Sequence, residues 1–279
     1  MGDMELTDIS FTKADGVAEI VLNRPDQRNP ISARAGGTRD QILSVLHDAE
    51  DDPTIGSVLL RAAGAAFSAG GDLTGNAVRE TLEEHTAFLE EADRFHRRLA
   101  ASPLPVVAAV QGFCLGAALS LAVSCDLVIA GDDARFGLPE GRIGLVGVTP
   151  LVPVIGAQWA KFLMLTGEMI DATTAQSIGL VLTVQPAGEL EDRARELCRR
   201  LARLPREAAA LNLATVDAVA DAVGEDRRLL AIELDAGTLV ASPRATAPDG
   251  RTFREIIASE GVVGLKAARA AQYDSPWLR

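Results

Sequence analysis

The segment Val110–Ala130, VQGFCLGAALSLAVSCDLVIA, decides the fold because it joins a buried strand, a glycine-containing turn and an apolar helix. We predict that the strand ends at the first of these residues, that the chain turns through residues 111–113, and that the helix begins near Leu115. No charged residue occurs before Asp126, and a helix that is apolar on every side must be buried. Two glycines open the helix, so its first N–H groups are expected to face a cavity and to bind negative charge.

Strands and helices alternate on both sides of this segment. The predicted strands are residues 6–12, 17–22, 58–61, 106–110, 126–130 and 181–184. The predicted helices of the same region are residues 32–49, 79–100, 157–165, 172–178 and 189–203. This alternation is typical of an α/β fold built from βαβ-type units.

The pattern becomes purely helical near Pro205, and the predicted helices that follow are 206–222, 225–240 and 251–271. We therefore divide the chain into a core of residues 1–205 and a C-terminal helical region of residues 206–279. These last helices have little sheet to cover, so their apolar faces are expected to pack on a neighbouring subunit.

The composition argues against several classes of protein. A net charge of -12 over 279 residues disfavours nucleic acid or an anionic membrane surface as a partner. The three cysteines fit neither a disulfide framework nor a metal-binding spacing, so we expect buried free thiols and no metal. The first ten residues, MGDMELTDIS, contain no apolar segment of a secretory signal, and the expected location is the cytoplasm.

Five motifs, taken together and in order, resemble those of one enzyme family. They are NRPDQRN (23–29), FSAGGDL (67–73), QGFCLGAALSLAVSCDLVIA (111–130), FGLPEGRIGL (136–145) and LTGEMIDATTAQSIGLV (165–181). Over residues 7–205 they resemble the crotonase family, also called the enoyl-CoA hydratase/isomerase superfamily. The resemblance implies a crotonase-like spiral of ββα units with a C-terminal all-helical trimerisation region, assembled as a homotrimer or a dimer of trimers. It also implies acyl-CoA substrates, with coenzyme A as part of the thioester and no permanently bound cofactor.

The resemblance further implies that two backbone N–H groups stabilise a thioester enolate. The motifs place these donors at Gly71, in the glycine-rich loop, and at Ala117, at the start of the central helix. Glycine at position 71 lets the backbone approach a ligand closely. Ala117 replaces a glycine that is common in the family, but the N–H group is unchanged.

Hydratases that resemble this chain use two glutamates, one on each side of the substrate. The second of these is Glu140, whereas the first position carries Ser120, which has no acid–base range near neutral pH. A single carboxylate is able to abstract a proton next to the thioester carbonyl and return it two carbons away. The resemblance therefore favours a Δ3,Δ2-enoyl-CoA isomerase over a hydratase. In the alternative interpretation, Glu140 is a structural acid that pairs with Arg142 or Arg135.

Other functions stay open at this point. A hydratase, an acyl-CoA hydrolase or a decarboxylase would use Ser120 or a residue of helix 79–100 in an adapted role, and a third class is a non-catalytic acyl-CoA-binding homologue. Val148 stands where dienoyl-CoA isomerases carry an acid, and Tyr273 is the only tyrosine, which disfavours a dihydroxynaphthoyl-CoA synthase. The polar side chains of helix 79–100, which we interpret as a solvent-facing surface, are Glu83, Glu84, His85, Glu90, Glu91 and His96.

The resemblance also implies residues that bind the substrate. Arg24 is the best candidate for the CoA phosphates, and Lys266 is a candidate for the 3′-phosphate, with an exposed helix lysine as the alternative interpretation. Asp72 is expected to anchor the glycine-rich loop, and Thr74 stands where many relatives have a lysine. The remaining candidates, at the loop and on the central helix, are Ala66, Ser68, Gly70, Gly116 and Ser120.

Overall fold

The computed structural model of the chain describes residues 5–73, 81–145, 151–221 and 242–271. The strands are β1 (Ile9–Ala14), β2 (Val17–Leu22), β3 (Ser57–Ala62), β4 (Val106–Val110), β5 (Phe113–Leu115), β6 (Leu127–Gly131), β7 (Arg135–Gly137), β8 (Met169–Asp171) and β9 (Thr183–Gln185). The helices are α1 (Thr38–Asp51), α2 (Leu82–Ala100), α3 (Ala117–Val123), α4 (Leu151–Thr166), α5 (Ala172–Ser177), α6 (Leu190–Leu201), α7 (Arg206–Asp221) and α8 (Phe253–Ala270). The predicted helix 225–240 lies outside the described residues, as do Thr74, Val148 and Tyr273.

Six strands form the main sheet in the order β1, β2, β3, β4, β6, β9, and β5, β7 and β8 form a smaller second sheet. Strands β1 and β2 are an antiparallel hairpin. Asp15 and Gly16 make its turn with φ of 53° and 77°, the conformation that a tight hairpin requires. Every later pair in the main sheet is parallel, which confirms the predicted βαβ-type units.

Strand β4 is an unbroken apolar run because both faces of the main sheet are buried. One set of alternate residues packs into the large core on the first face, namely Val106, Ala108 and Val110. The other set joins the core on the opposite face, namely Val107 and Ala109. Helix α6 covers that second face with Leu190, Ala194 and Cys198. A two-sided core of this kind is typical of parallel sheets.

The central segment departs in part from the predicted layout. Strand β4 ends at Val110 as predicted, but residues 113–115 are strand β5, and the helix begins at Ala117. Strand β5 pairs in parallel with β7, so these residues belong to the second sheet instead of a free turn. The prediction was wrong here because three residues are too few to show a strand periodicity.

Two glycines set the bounds of strand β5. Gly112 and Gly116 have φ of 53° and 56°, a region that side-chain-bearing residues rarely adopt. A Cβ atom on Gly112 would also lie 2.0 Å from the carbonyl oxygen of Ala65. Helix α3 has only 7 residues, so its macrodipole is small. What its first turn provides to a ligand is individual backbone N–H groups.

Helix α2 begins at Leu82, three residues later than predicted, because Thr81 caps it. Thr81 and Glu84 form a reciprocal capping box, a signal that is present in the sequence as T-x-x-E.

The interpretation of α2 as a solvent-facing polar surface is correct for its four glutamates, which are exposed, and wrong for its two histidines. His85 is 8% exposed, and His96 is half-buried. The two lie three helical turns apart and therefore share the inner face of the helix with Phe95 and Leu99. Burial, reinforced by the charge of Arg39, lowers the pKa of His96 to about 3, so its imidazole is neutral.

The C-terminal helices contact the core of the same chain. Arg206, at the start of α7, donates to the carbonyl oxygens of Asp52 and Glu50 at 2.7 Å and 2.6 Å. Helix α8 bends at Gly261, where φ is 63°, and packs on the segment that follows β7. No described helix has the length and apolarity to span a bilayer. The division at residue 205 and the role of the helices in assembly stay predictions.

One half-buried carboxyl, just before strand β6, gives a pH-dependent prediction. Asp126 Oδ2 accepts a hydrogen bond from the backbone N–H of Val106 at 2.6 Å. Burial, together with the charge of Asp217, raises the pKa of Asp126 to about 6. Because the pKa of Asp126 is higher in the folded protein than in the unfolded chain, the free energy of unfolding falls as the pH rises towards and through 6, where the folded protein loses this proton.

We therefore expect Asp126→Asn to increase the free energy of unfolding at pH 8 by about 1–3 kcal/mol, because asparagine keeps the acceptor and removes the charge. The gain should shrink by more than half at pH 4.5, where the aspartic acid is largely protonated in the folded protein. Urea unfolding of both proteins at the two pH values tests this, and a gain of equal size at both would contradict it.

Candidate active site

The glycine-rich loop, residues 63–72, is fixed by the motif near residue 25. Asn29 is 2% exposed, and its Nδ2 donates to the carbonyl oxygens of Ala63 and Ala66, each at 2.9 Å. Its Oδ1 accepts from the backbone N–H of Arg24 at 2.8 Å. One buried amide therefore ties the two motifs together, and this explains why both belong to a single site.

Gly71 presents its backbone towards helix α3. Ile31 donates to the carbonyl oxygen of Gly70 at 2.8 Å, and Asp72 donates to that of Ile31 at 3.0 Å. In such a parallel bridge the residue between the two bonds, here Gly71, turns its own N–H and C=O to the opposite side. A Cβ atom on Gly71 would lie 3.9 Å from the Cβ of Ala117, so the two predicted donors are brought together.

Glu140 lies directly against the start of α3. A Cβ atom placed on Gly116 would be 3.2 Å from Glu140 Oε2 and 3.5 Å from Oε1. Gly116 precedes Ala117 in the chain and donates its N–H to the carbonyl oxygen of Gly137 at 3.0 Å. Glu140 is half-buried, so its carboxylate lies at the start of α3 and keeps some exposure.

The segment that carries Glu140 is a short 3₁₀ helix, Pro139–Ile143, that is held tightly by its glycines. A Cβ on Gly141 would approach the carbonyl oxygen of Met164 to 2.1 Å, and a Cβ on Gly137 would approach that of Glu168 to 2.8 Å. The backbone on both sides of Glu140 is thus packed against the end of α4 and the turn that follows it.

A buried ion pair supports the same segment. Arg142 donates from Nε to the carbonyl oxygen of Thr166 at 2.7 Å, and its NH2 lies 3.5 Å from Glu168 Oε1. Arg135, by contrast, is exposed and donates to the carbonyl oxygen of Ala134. Arg142 therefore has a structural partner of its own in Glu168, which the sequence spacing did not indicate.

The predicted CoA-contact residues divide into those tied to the glycine-rich loop, such as Arg24 and Ser68, and Lys266, which lies apart on α8. Arg24 is only 18% exposed at its side chain, lies 3.0 Å from Asp72 Oδ2, and also donates to Gln27. It therefore ties the motif near residue 25 to Asp72 of the glycine-rich loop. Ser68 is fully buried, and its Oγ accepts from the N–H of Gly70 at 3.1 Å, so it shapes the loop from inside. Lys266 is exposed on α8.

Ser120 occupies the second turn of α3 and is 6% exposed. Its carbonyl oxygen accepts from Ser124 Oγ at 2.8 Å, and Ser124 Oγ lies 2.9 Å from His96 Nδ1. Because the hydroxyl proton of Ser124 is used on Ser120, the imidazole is assigned as the donor to Ser124 Oγ. His96 is thus a neutral group that ties α2 to α3.

His85 is the second imidazole of α2, and its Nε2 is buried without a hydrogen-bond partner among the described residues. Both histidines were predicted to face solvent, and their burial was not predicted. The sequence does carry a signal of burial, because both histidines lie on the same helical face as the apolar residues Phe95 and Leu99.

Comparison with known proteins places the chain in a family. The family model described as "Enoyl-CoA hydratase/isomerase" matches residues 12–241. A putative enoyl-CoA hydratase of Thermus thermophilus is 35% identical over 192 residues, which cover 67% of this chain and 75% of that protein. The short-chain-enoyl-CoA hydratase of Clostridium acetobutylicum is 34% identical over 203 residues, which cover 71% and 76%.

A solved structure agrees over nearly the whole chain. The crystal structure of an enoyl-CoA hydratase/isomerase from Xanthobacter autotrophicus Py2 matches with a TM-score of 0.83 at 29% identity, covering 97% of this chain and 100% of that one. The class of protein is thus that of the crotonase fold. The chain belongs to the enoyl-CoA hydratase/isomerase family, the crotonase superfamily of acyl-CoA enzymes, as its motifs indicated.

Proposed function

We propose that this protein transfers a proton within an enoyl-CoA thioester, with Glu140 as the group that carries the proton. The observation that supports the proposal is the placement of the Glu140 carboxylate 3.2 Å from the position that a Cβ on Gly116 would take, with Gly71 and Ala117 lying side by side at the start of the same helix. The substrate class, an acyl-CoA thioester, follows from the family.

In the proposed reaction, the N–H groups of Gly71 and Ala117 donate to the thioester carbonyl oxygen. Glu140 removes a proton from the carbon next to the carbonyl, and the electron pair delocalises onto that oxygen as an enolate. Each amide is worth roughly 3 kcal/mol of barrier when water is excluded. The same carboxyl then returns the proton two carbons away, and the double bond moves into conjugation with no net gain or loss of atoms.

The isomerase direction is favoured by Ser120. Hydration needs one group to take a proton from water and another to give a proton to carbon, and a serine hydroxyl has no such range near neutral pH. His96 offers no substitute, because it is neutral with a pKa of about 3 and hydrogen-bonded to Ser124. A single carboxylate suffices for a double-bond shift.

A hydratase is the second candidate, because the relatives from T. thermophilus and C. acetobutylicum are both named as enoyl-CoA hydratases. Those names give the isomerase preference no support. A panel of straight-chain 2-enoyl-, 3-enoyl- and 3-hydroxyacyl-CoA thioesters separates the two. Conversion of the 3-enoyl to the 2-enoyl thioester without formation of the 3-hydroxyacyl product is expected. Rapid hydration would instead favour the second candidate, and binding without turnover would favour an acyl-CoA-binding protein.

Restoring the missing carboxylate should change the reaction. We expect Ser120→Glu to gain hydration of a 2-enoyl-CoA by at least tenfold, since a second acid–base group contributes about 10²–10⁴-fold in a formed site. The matched control is Ser120→Gln, which adds the same volume without an acid. Hydration is followed by loss of the conjugated-thioester absorbance. An equal change in both variants, or none in the glutamate variant, would contradict a substrate-facing position for residue 120.

We also propose that the protein assembles as a homotrimer or a dimer of trimers through its C-terminal helices. Their exposed apolar residues support this, and the most exposed are Leu211, Val216, Ile257 and Val263. Light scattering coupled to size-exclusion chromatography measures the mass directly. Cytoplasmic location stays a prediction.

A further inference from the structure

The glycine-rich loop needs support from other segments to aim the N–H group of Gly71. Residues 70 and 71 are both glycine, and Gly70 has φ of 108°, so this backbone has wide conformational freedom of its own. The carbonyl oxygen of Gly70 accepts from the N–H of Ile31 at 2.8 Å. Because C=O and N–H point in opposite directions across a planar trans peptide, this bond also sets the direction of the Gly71 N–H. The contacts of residues 31 and 72 therefore determine where that donor points.

Arg24 holds the loop through the residue that follows Gly71. Its NH1 lies 3.0 Å from Asp72 Oδ2 and 3.7 Å from Asp8 Oδ2, so one nitrogen bridges two carboxylates. The Arg24 side chain is 18% exposed, that of Asp72 is 10% exposed and that of Asp8 is 2% exposed. The backbone N–H of Asp72 also donates to the carbonyl oxygen of Ile31 at 3.0 Å. Residue 72 is thus held through both its main chain and its side chain.

Asp8 anchors both Arg24 and the segment that pairs with the loop. Its Oδ2 accepts from Thr38 Oγ1 at 2.9 Å, and that hydroxyl oxygen accepts from the backbone N–H of Ser32 at 3.0 Å. Ser32 directly follows Ile31, the residue whose N–H and C=O bond to the loop. One buried carboxylate therefore supports the loop by two routes, one through a guanidinium and the other through a hydroxyl group.

This arrangement does not favour the predicted role of Arg24 in binding a phosphate group. Its NH1 lies between two carboxylates of low exposure, and its NH2 donates to Gln27. To reach a phosphate, the guanidinium would have to turn away from Asp8 and Asp72, and a nearly buried charge that loses a partner is costly. The same two carboxylates would also repel a phosphate that approached Arg24.

We propose that Arg24 and Asp8 are positioning residues for the N–H of Gly71, and that Arg24 serves the oxyanion-binding loop instead of the phosphates of coenzyme A. The inference rests on the proposed function, in which the Gly71 N–H donates to the thioester oxygen. That hydrogen bond strengthens as the enolate forms, so a misplaced donor costs rate more than it costs substrate binding.

The test measures Arg24→Gln on two forms of the enoyl thioester that the parent protein converts. One is the coenzyme A thioester, and the other is the pantetheine thioester, which has the same reacting atoms and lacks the nucleotide and its phosphates. We expect kcat to fall about tenfold to a hundredfold with less than about a threefold change in KM, by the same factor on both substrates. A higher KM for the coenzyme A thioester alone would overturn the inference, because it would show that Arg24 binds a phosphate.

Two further variants test the route through Asp8. Asp8→Asn keeps an acceptor for Thr38 and removes the charge that faces Arg24, so kcat should fall roughly fivefold. The Asp8→Asn, Arg24→Gln double variant should be no slower than Arg24→Gln alone, since both act on one contact, and losses that multiply would overturn the role of Asp8. The matched control is Arg34→Gln. Arg34 lies 3.1 Å from Asp8 Oδ1 and is 54% exposed, so its loss should keep kcat within about twofold.

A binding measurement decides the matter without turnover. Calorimetric titration with free coenzyme A should give the same Kd for Arg24→Gln and the parent protein, and binding weakened by about tenfold would overturn the inference. If Arg24→Gln does not fold, Arg24→Lys, which keeps the charge but not the fork of donors, takes its place on both thioesters. Failure of both variants to fold would assign Arg24 to stability alone and also overturn the inference.

Glu140→Gln, measured on the same coenzyme A thioester, separates this inference from the proposed function. Full activity of Glu140→Gln would refute the proposed function itself. An inactive Glu140→Gln together with an unchanged kcat for Arg24→Gln would refute only the positioning role of Arg24 and Asp8.

Discussion

Replacement of Glu140 by glutamine is expected to abolish turnover while acyl-CoA binding persists. Glutamine has nearly the same shape, so it fills the same space against Gly116, but it cannot accept and return a proton. General acid–base catalysis contributes about 10²–10⁴-fold, and in the proposed reaction the one carboxylate performs both transfers, so a loss of at least 10³-fold in kcat is expected. Conversion of a 3-enoyl-CoA measures turnover, and calorimetric titration with a saturated acyl-CoA measures binding.

The control for this variant is Glu207→Gln, which removes one exposed carboxylate from α7 and should leave both measurements unchanged. Equal activity of Glu140→Gln and the parent protein on every thioester tested would remove Glu140 from the mechanism. Loss of binding together with turnover would instead mean that the carboxylate shapes the pocket, as in the structural interpretation of this residue.

The second large effect is expected from Gly116→Ala. Gly116 has φ of 56° and ψ of -121°, which alanine adopts only under strain, and its new Cβ would lie 3.2 Å from Glu140 Oε2. The same methyl therefore strains the backbone before Ala117 and shifts the carboxylate by a few tenths of an ångström. We expect at least a hundredfold loss of kcat/KM, because small displacements of reacting groups are costly. A fall of about 1–3 kcal/mol in the free energy of unfolding should accompany it.

Gly250→Ala separates the two causes. Gly250 also has a positive φ, of 86°, but no described atom lies within 4 Å of the position its Cβ would take. This variant should lose only the stability that backbone strain costs, about 1 kcal/mol, with unchanged kcat/KM. The explanation fails if Gly116→Ala keeps its activity, or if the two variants lose activity to the same degree.

The parallel core and its order were predictable because their signal is local. The apolar run of β4 is readable within a few residues, and the strand appears in the structure at the predicted position. Strand β5 was missed because its three residues gain their pairing from β7, which is distant in sequence. Periodicity has no information about such a partner.

At the site, the sequence indicated the residues but not how their side chains are used. Gly71, Ala117 and Glu140 were placed by motif, and the structure brings them together. The pairing of Arg24 with Asp72, by contrast, and that of Arg142 with Glu168 depend on contacts between residues well separated in the chain. These contacts follow from packing, which local patterns do not determine.

The missing side chain of Gly141 has a mechanical consequence. With the carbonyl oxygen of Met164 so close to Gly141 that no methyl group fits between them, the segment that carries Glu140 is packed tightly against the end of α4. Helix α4 also presents Val152, Val154 and Leu165 outward, with 52%, 39% and 76% of each residue exposed. A force on α4 at Leu165 would therefore reach the Glu140 segment through this backbone contact and through the bonds of Arg142 to Thr166 and Glu168.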